Sequence, residues 1–153
     1  PRQHMRKMKV GKVTFTEAYK AVNEYRQKFP QKAVTFYAQN YPAMGWAVFM
    51  AGGSCPVIPC TDKAFLKDAA AMEVEETNTD EYKKMVKSDI GSIIYSKSGT
   101  EIPVQLSSGK YVLKYIHPAS GKIEMMNKSL KINGLYKLKV PDKKEGIYWF
   151  HKL

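Results

Sequence analysis

Gln39, Asn40, Tyr41 and Trp46 are the side chains in this sequence best suited to holding a ligand. Two successive amides each donate and accept hydrogen bonds, and the aromatic rings beside them present flat apolar faces. A sugar, with hydroxyls to bond and C–H faces to cover, answers both properties. Their position supports the reading. They follow a short run rich in β-branched and aromatic residues, 32–38, and in α/β folds ligands meet the loops after the carboxyl ends of strands. The same residues have a plainer explanation, in which Asn40 and Pro42 make a turn while Tyr41 and Trp46 fill the interior.

Other constellations carry less chemistry. Glu17 and Glu24 fall on similar sides of a helix, but Glu17 is explained by a cap and Glu24 by a solvated face with Lys20 and Lys28 at four-residue spacing. Asp80 and Glu81 lie in a polar stretch that points to solvent. His4, His117 and His151 stand singly, and no His, Cys and Asp cluster has metal-ligand spacing, so neither a metal nor a cofactor is expected. Cys55 and Cys60, in CPVIPC, fit neither the redox nor the zinc pattern. The two prolines between them stiffen the loop, so two free, buried thiols are expected.

The elements that must position these residues begin with a helix at 14–29, where Thr14 and Glu17 have capping-box spacing and Phe15, Ala18, Tyr19, Val22, Tyr25 and Phe29 make one apolar stripe. A strand at 32–38 and a helix at 43–51 follow. Every side chain of that second helix except Gly45 is apolar, so it has no wet face and must be enclosed. Gly52 and Gly53 end it. A third helix is expected at 62–72, with Thr61 able to cap it. Residues 73–87 open with the acidic run EVEETNTDE and read as a connection between domains. Beyond residue 88 six short strands at 90–96, 100–106, 111–117, 121–127, 130–140 and 147–153, separated by turn-like SKSGT, SSGK, PASG and PDKKEG, predict a small antiparallel sandwich.

Charge excludes one function class. The formal net charge of +11 arises from 25 Lys and Arg against 14 Asp and Glu, but the basic residues are mostly dispersed lysines. Nucleic-acid readers concentrate Arg and stacking aromatics, so no nucleic-acid partner is expected. No apolar run approaches the ~20 residues of a membrane span, and residues 1–12 are basic and polar without the apolar core of a signal peptide.

Three blocks in order, WAVFMAGGSCPVIP, FLKDAAAM and GSIIYSKSGTEIPVQLSSGKYVLKYIHPASGKI, resemble the carboxyl-terminal part of certain bacterial glycoside-hydrolase-like proteins. In that family a (β/α)8 barrel is followed by a β-sandwich that carries a collagen-binding label. The resemblance implies an α/β fragment at 1–72, made of the last strand and helices of the barrel, a linker at 73–87 and an appended sandwich at 88–153. It also implies an exported protein, at the cell surface, in the periplasm or secreted. Its partners would be a polysaccharide or oligosaccharide and the rest of its own barrel. Where the family's turn reads D-P-R-x-G, this chain has His117, Pro118, Ala119, Ser120 and Gly121, so any role of that Asp and Arg is absent. The catalytic carboxylates of barrel glycosidases sit on earlier strands, so this stretch is expected to be inert alone, contributing one wall of a sugar site from residues 39–46.

Overall fold

The capping box at Thr14 starts the first helix. In the computed structural model, which describes residues 13–36, 42–97, 99, 101–142 and 145–153, the Glu17 carboxylate accepts from the Thr14 backbone N–H at 2.8 Å and the Glu17 N–H donates to the Thr14 hydroxyl. Helix α1 runs Phe15–Lys28 and buries Phe15, Ala18, Tyr19 and Val22. The stripe is shorter than the spacing suggests, because Tyr25 and Phe29 remain exposed.

Helix α2, Pro42–Met50, is enclosed as its composition demands. Met44, Trp46, Ala47, Val48, Phe49 and Met50 are all buried. Helix α3, Lys63–Ala71, supplies part of the cover through Phe65, whose ring centroid lies 5.6 Å from Phe49 and 6.1 Å from Trp46. The cap of α3 is Asp62, whose carboxylate accepts from the Phe65 N–H at 2.8 Å, and not Thr61. The one non-apolar position of α2 also has a reason. A Cβ on Gly45 would sit 1.7 Å from the carbonyl oxygen of Val57, so the loop after α2 lies directly on the helix backbone. That loop leaves the helix through Gly52, at φ +67°, whose N–H donates to Phe49 while the Gly53 N–H donates to Val48, as a left-handed cap requires.

Residues 33–36 form no strand; the rest of the expected strand, 37–38, lies outside the described residues. The Val34 carbonyl instead accepts from the Ser54 N–H at 2.6 Å, so it is satisfied by the loop after α2 and not by a neighbouring strand.

The strands are β1, Glu73–Glu75; β2, Tyr82–Lys87; β3, Gly91–Ser96; β4, Glu101–Ile116; β5, Ile123–Lys139; and β6, Gly146–Lys152. They form one sheet in the order β1-β2-β3-β6-β4-β5, with every pairing antiparallel among the described residues. No parallel strand pair accompanies the three helices among the described residues. The segment expected as a linker, 73–87, contains β1 and β2 joined by a turn. Two of its acids serve as counter-charges, Glu75 pairing with Lys84 and Asp80 lying 3.0 Å from Lys20 and 3.3 Å from Lys83, while Glu76 accepts from the neutral amide of Gln27.

Four of the expected strands merge into two long ones. SSGK does not turn the chain; β4 carries through it with register shifts at Leu106/Gly109 and again near Leu113. Before the shift, Ile102, Val104 and Leu106 are buried and their neighbours exposed; after it, Tyr111, Val112, Leu113, Tyr115 and Ile116 are buried on both faces. The bend folds the outer half of the β4–β5 ribbon back over the sheet. The Lys84 ammonium on β2 consequently reaches the Pro103 carbonyl at 3.3 Å, although three strand steps, ~14 Å along a flat sheet, separate β2 from β4.

Two cores result. Beneath the helices, Ile93, Tyr95, Ile116, Ile147 and Trp149 pack with the buried faces of α1, α2 and α3. Under the folded ribbon, Ile94, Tyr148 and Phe150 meet Ile102, Val104, Leu106, Ile132 and Leu138. The β4–β5 turn closes the first core, since the Trp46 indole N–H donates to the Pro118 carbonyl at 2.8 Å. The apolar face of α2 thus finds its cover inside this chain, and its composition gives no reason to infer a missing barrel.

Candidate functional site

Gln39, Asn40 and Tyr41 lie outside the described residues. Trp46 is fully buried, with its ring set edge-on to Phe49 and Phe65 and its N–H committed to Pro118, so it packs and has no face open for stacking a sugar.

A cleft of about 800 Å³ lies between α1, the loop after α2, α3 and β1. Phe49, Ile58, Met72, Val74 and Met85 give it an apolar lining, and Asn23, Arg26, Gln27, Glu73 and Glu76 contribute polar side chains. Sequence builds the polar side simply, because positions 23, 26 and 27 share the face of α1 beside its buried stripe. The Arg26 guanidinium donates to the Ala51 carbonyl at 3.1 Å, and the Gln27 amide donates to Glu76 at 2.5 Å. Each is thereby held at the edge with other donors to spare.

A second, polar recess of about 430 Å³ adjoins it and shares Asn23 and Glu76. Lys83, itself buried, lies 4.8 Å from the Tyr19 ring centroid and donates to the Thr79 carbonyl at 2.7 Å. Burial first, and then the negative charge of Glu76, push the Tyr19 phenol up to about 12, so it is a neutral donor at physiological pH. Lys20 first, through its hydrogen bond, and Lys83 hold the Asp80 carboxyl below the usual range.

This arrangement can bind a polyhydroxylated molecule: amides, a guanidinium and carboxylates border aliphatic surface. It is poorly equipped for glycoside cleavage. Glu73 and Glu76 are both exposed, without the apolar enclosure that prepares a carboxylic acid as proton donor. Among the described residues no group of three or more His, Cys, Asp or Glu could hold a metal ion.

A third constellation joins residues that the sequence keeps far apart. Asp68 on α3 is buried and accepts, on one oxygen, from the Trp149 indole N–H at 2.9 Å while standing 2.7 Å from His151 Nδ1. His151, single in the sequence, is therefore oriented by a carboxylate, as are many working histidines. His117, in contrast, stands beside Glu124 at 2.9 Å near the end of the β4–β5 ribbon. Glu17 serves its cap. Cys60 is buried as expected, whereas Cys55 is exposed, and both are free.

A family profile described as "Domain of unknown function (DUF6298)" matches residues 1–72. No curated protein matches the chain. Among solved structures, one titled "Glycoside hydrolase" aligns at 15% identity and TM-score 0.39, over 52% of this chain and 19% of its own. Another, of CapF with the inhibitor 3-isopropenyl-tropolone, aligns at 12% identity and TM-score 0.16, over 90% of this chain and 44% of its own. This chain thus spans less than half the length of either structure, and at these scores neither likeness bears on fold or function.

Proposed function

We propose that this chain is a noncatalytic, carbohydrate-binding part of an exported sugar-processing protein, which holds a polysaccharide or oligosaccharide in the cleft beside α1. The cleft carries the reading: about 800 Å³ of space with Asn23, Arg26, Gln27 and Glu76 set around aliphatic surface suits a chain of sugar rings, whose hydroxyls require donors and acceptors together. Gln39, Asn40 and Tyr41 belong to the proposal as further sugar contacts, on the strength of their side-chain chemistry. Retention of one glycan class on an array, followed by calorimetry in which Asn23→Ala with Gln27→Ala weakens binding at least tenfold, is the expected result. No glycan retained by the parent chain would overturn the reading.

A second reading makes the cleft one wall of a larger catalytic site. Tyr25 and Phe29 favour it, an exposed aromatic pair with ring centroids 6.2 Å apart at the end of α1, a surface suited to packing against further protein. It is tested by Tyr25→Ser with Phe29→Ser: unchanged assembly and activity of a protein carrying this chain beside a barrel would refute it.

A further inference from the structure

Asp68, His151, Trp149 and Lys114 share no residue with the cleft. The Asp68–Trp149 bond has a sufficient structural purpose, since it satisfies an indole N–H with no exposure. Two features remain outside that purpose. The carboxylate at Nδ1 turns the other imidazole nitrogen, Nε2, away from Asp68, and the His151 side chain is 31% exposed. Beside it, the Lys114 ammonium stands 4.0 Å from the centroid of the Trp149 ring, and no carboxylate is within ion-pairing distance of it among the described residues.

The register brings these nitrogens together. Lys114 is paired with Trp149 and Val112 with His151, so Lys114 and His151 are diagonal neighbours on one face, with Cβ atoms roughly 7–8 Å apart. Both border the same indole, the imidazole at a centroid separation of 5.3 Å. Among the described residues Asp68 of α3 contacts His151, Val112 of β4 and Gly91 of β3 stand opposite it, and Lys114 lies diagonal to it.

We propose that Lys114 and His151 form a binding site for a carboxylate ligand, whose two oxygens bridge the ammonium and the outward imidazole N–H. An acidic sugar and a free organic acid are the two sources of that chemistry. The proposal is independent of the cleft, and neutral glycans bound there would be unaffected by substitution of Lys114.

NMR of the His151 ring, assigned with His151→Gln, tests it by titration with glucuronate, acetate, glucose and inorganic phosphate. Saturable shifts with glucuronate and acetate at millimolar concentration, and none with glucose, are expected. Lys114→Gln should weaken them at least tenfold and Lys114→Arg should preserve them. A purely structural His151 gives no saturable shift with carboxylates that depends on Lys114. Tighter glucuronate than acetate assigns the site to acidic sugars, and equal affinity assigns it to small carboxylates. No saturable shift with either, or stronger binding of phosphate than of both, overturns the proposal. Should Lys114→Gln fail to fold, His151 shifts in the parent chain that are as large with glucose as with glucuronate overturn it equally.

Discussion

Removing the Asp68 carboxylate should cost more stability than any surface substitution, and the structure says how the cost divides. In Asp68→Ala the Trp149 indole N–H, wholly buried, loses its acceptor, and His151 loses its partner. A stranded buried donor costs about 1–3 kcal/mol and a lost bond to a charged group about 1.5–3 kcal/mol, so the variant should lose about 3–5 kcal/mol. For a chain of this size that is a fall in Tm of roughly 10 °C. Asp68→Asn discriminates. Both contacts converge on one oxygen, and an amide oxygen can accept two hydrogen bonds. The Asn variant keeps both bonds and loses only charge assistance, about 1 kcal/mol. Urea unfolding at neutral pH, followed by tryptophan fluorescence and circular dichroism, measures both. Equal losses for Asn and Ala, or an Ala variant within about 1 kcal/mol of the parent, would refute the reasoning.

Other outcomes follow from features of the two cores. Gly45→Ala forces a methyl group into the Val57 carbonyl, so overpacking of about 1–3 kcal/mol should outweigh the helix-propensity gain of about 1 kcal/mol, seen as a lower urea midpoint. Burial pushes the Tyr19 and Tyr148 phenols up to about 12 from 10.0. With folded values raised, their stability is fully present below pH 10 and is lost as pH rises from 10 to 12; urea midpoints across that window should fall, less steeply in Tyr19→Phe. An aromatic disulfide reagent should modify one thiol quickly in the folded protein and none in Cys55→Ser, because Cys60 is buried and burial pushes its thiol up.

What could be read from sequence was what is decided locally. Thr14 and Glu17 are three residues apart, and the cap they form depends on nothing else. The bounds of α2 and α3 follow from a composition without a wet face, a glycine pair and an apolar period. Residues 33–36 misled because a β-rich run becomes a strand only beside a partner edge, and here the Val34 carbonyl accepts from Ser54 in the loop after α2. The acidic run at 73–81 looked like a solvated connection because one counter-charge, Lys20, sits 60 residues earlier than Asp80. SSGK has the composition of a turn, yet a bulge absorbs it within β4. Trp46 suited stacking by residue type, while its burial depends on Pro118, 72 residues away. Asp68 and His151 lie 83 residues apart, and no local pattern marks either.

The seat of the β4–β5 turn on the first core reaches further than one hydrogen bond. A Cβ on Gly121 would strike the Pro59 carbonyl at 2.5 Å, so the hairpin tip and the loop ahead of α3 interlock backbone to backbone, next to the Trp46–Pro118 bond. The described helices within 1–72, the span that the family profile matches, consequently share one core with the strands. Severed after Met72, they would leave Phe65 without Trp149 and Phe15 without Tyr95, a greasy remnant prone to clump. A change on the helical side of this shared core therefore has to be matched by one in the strands.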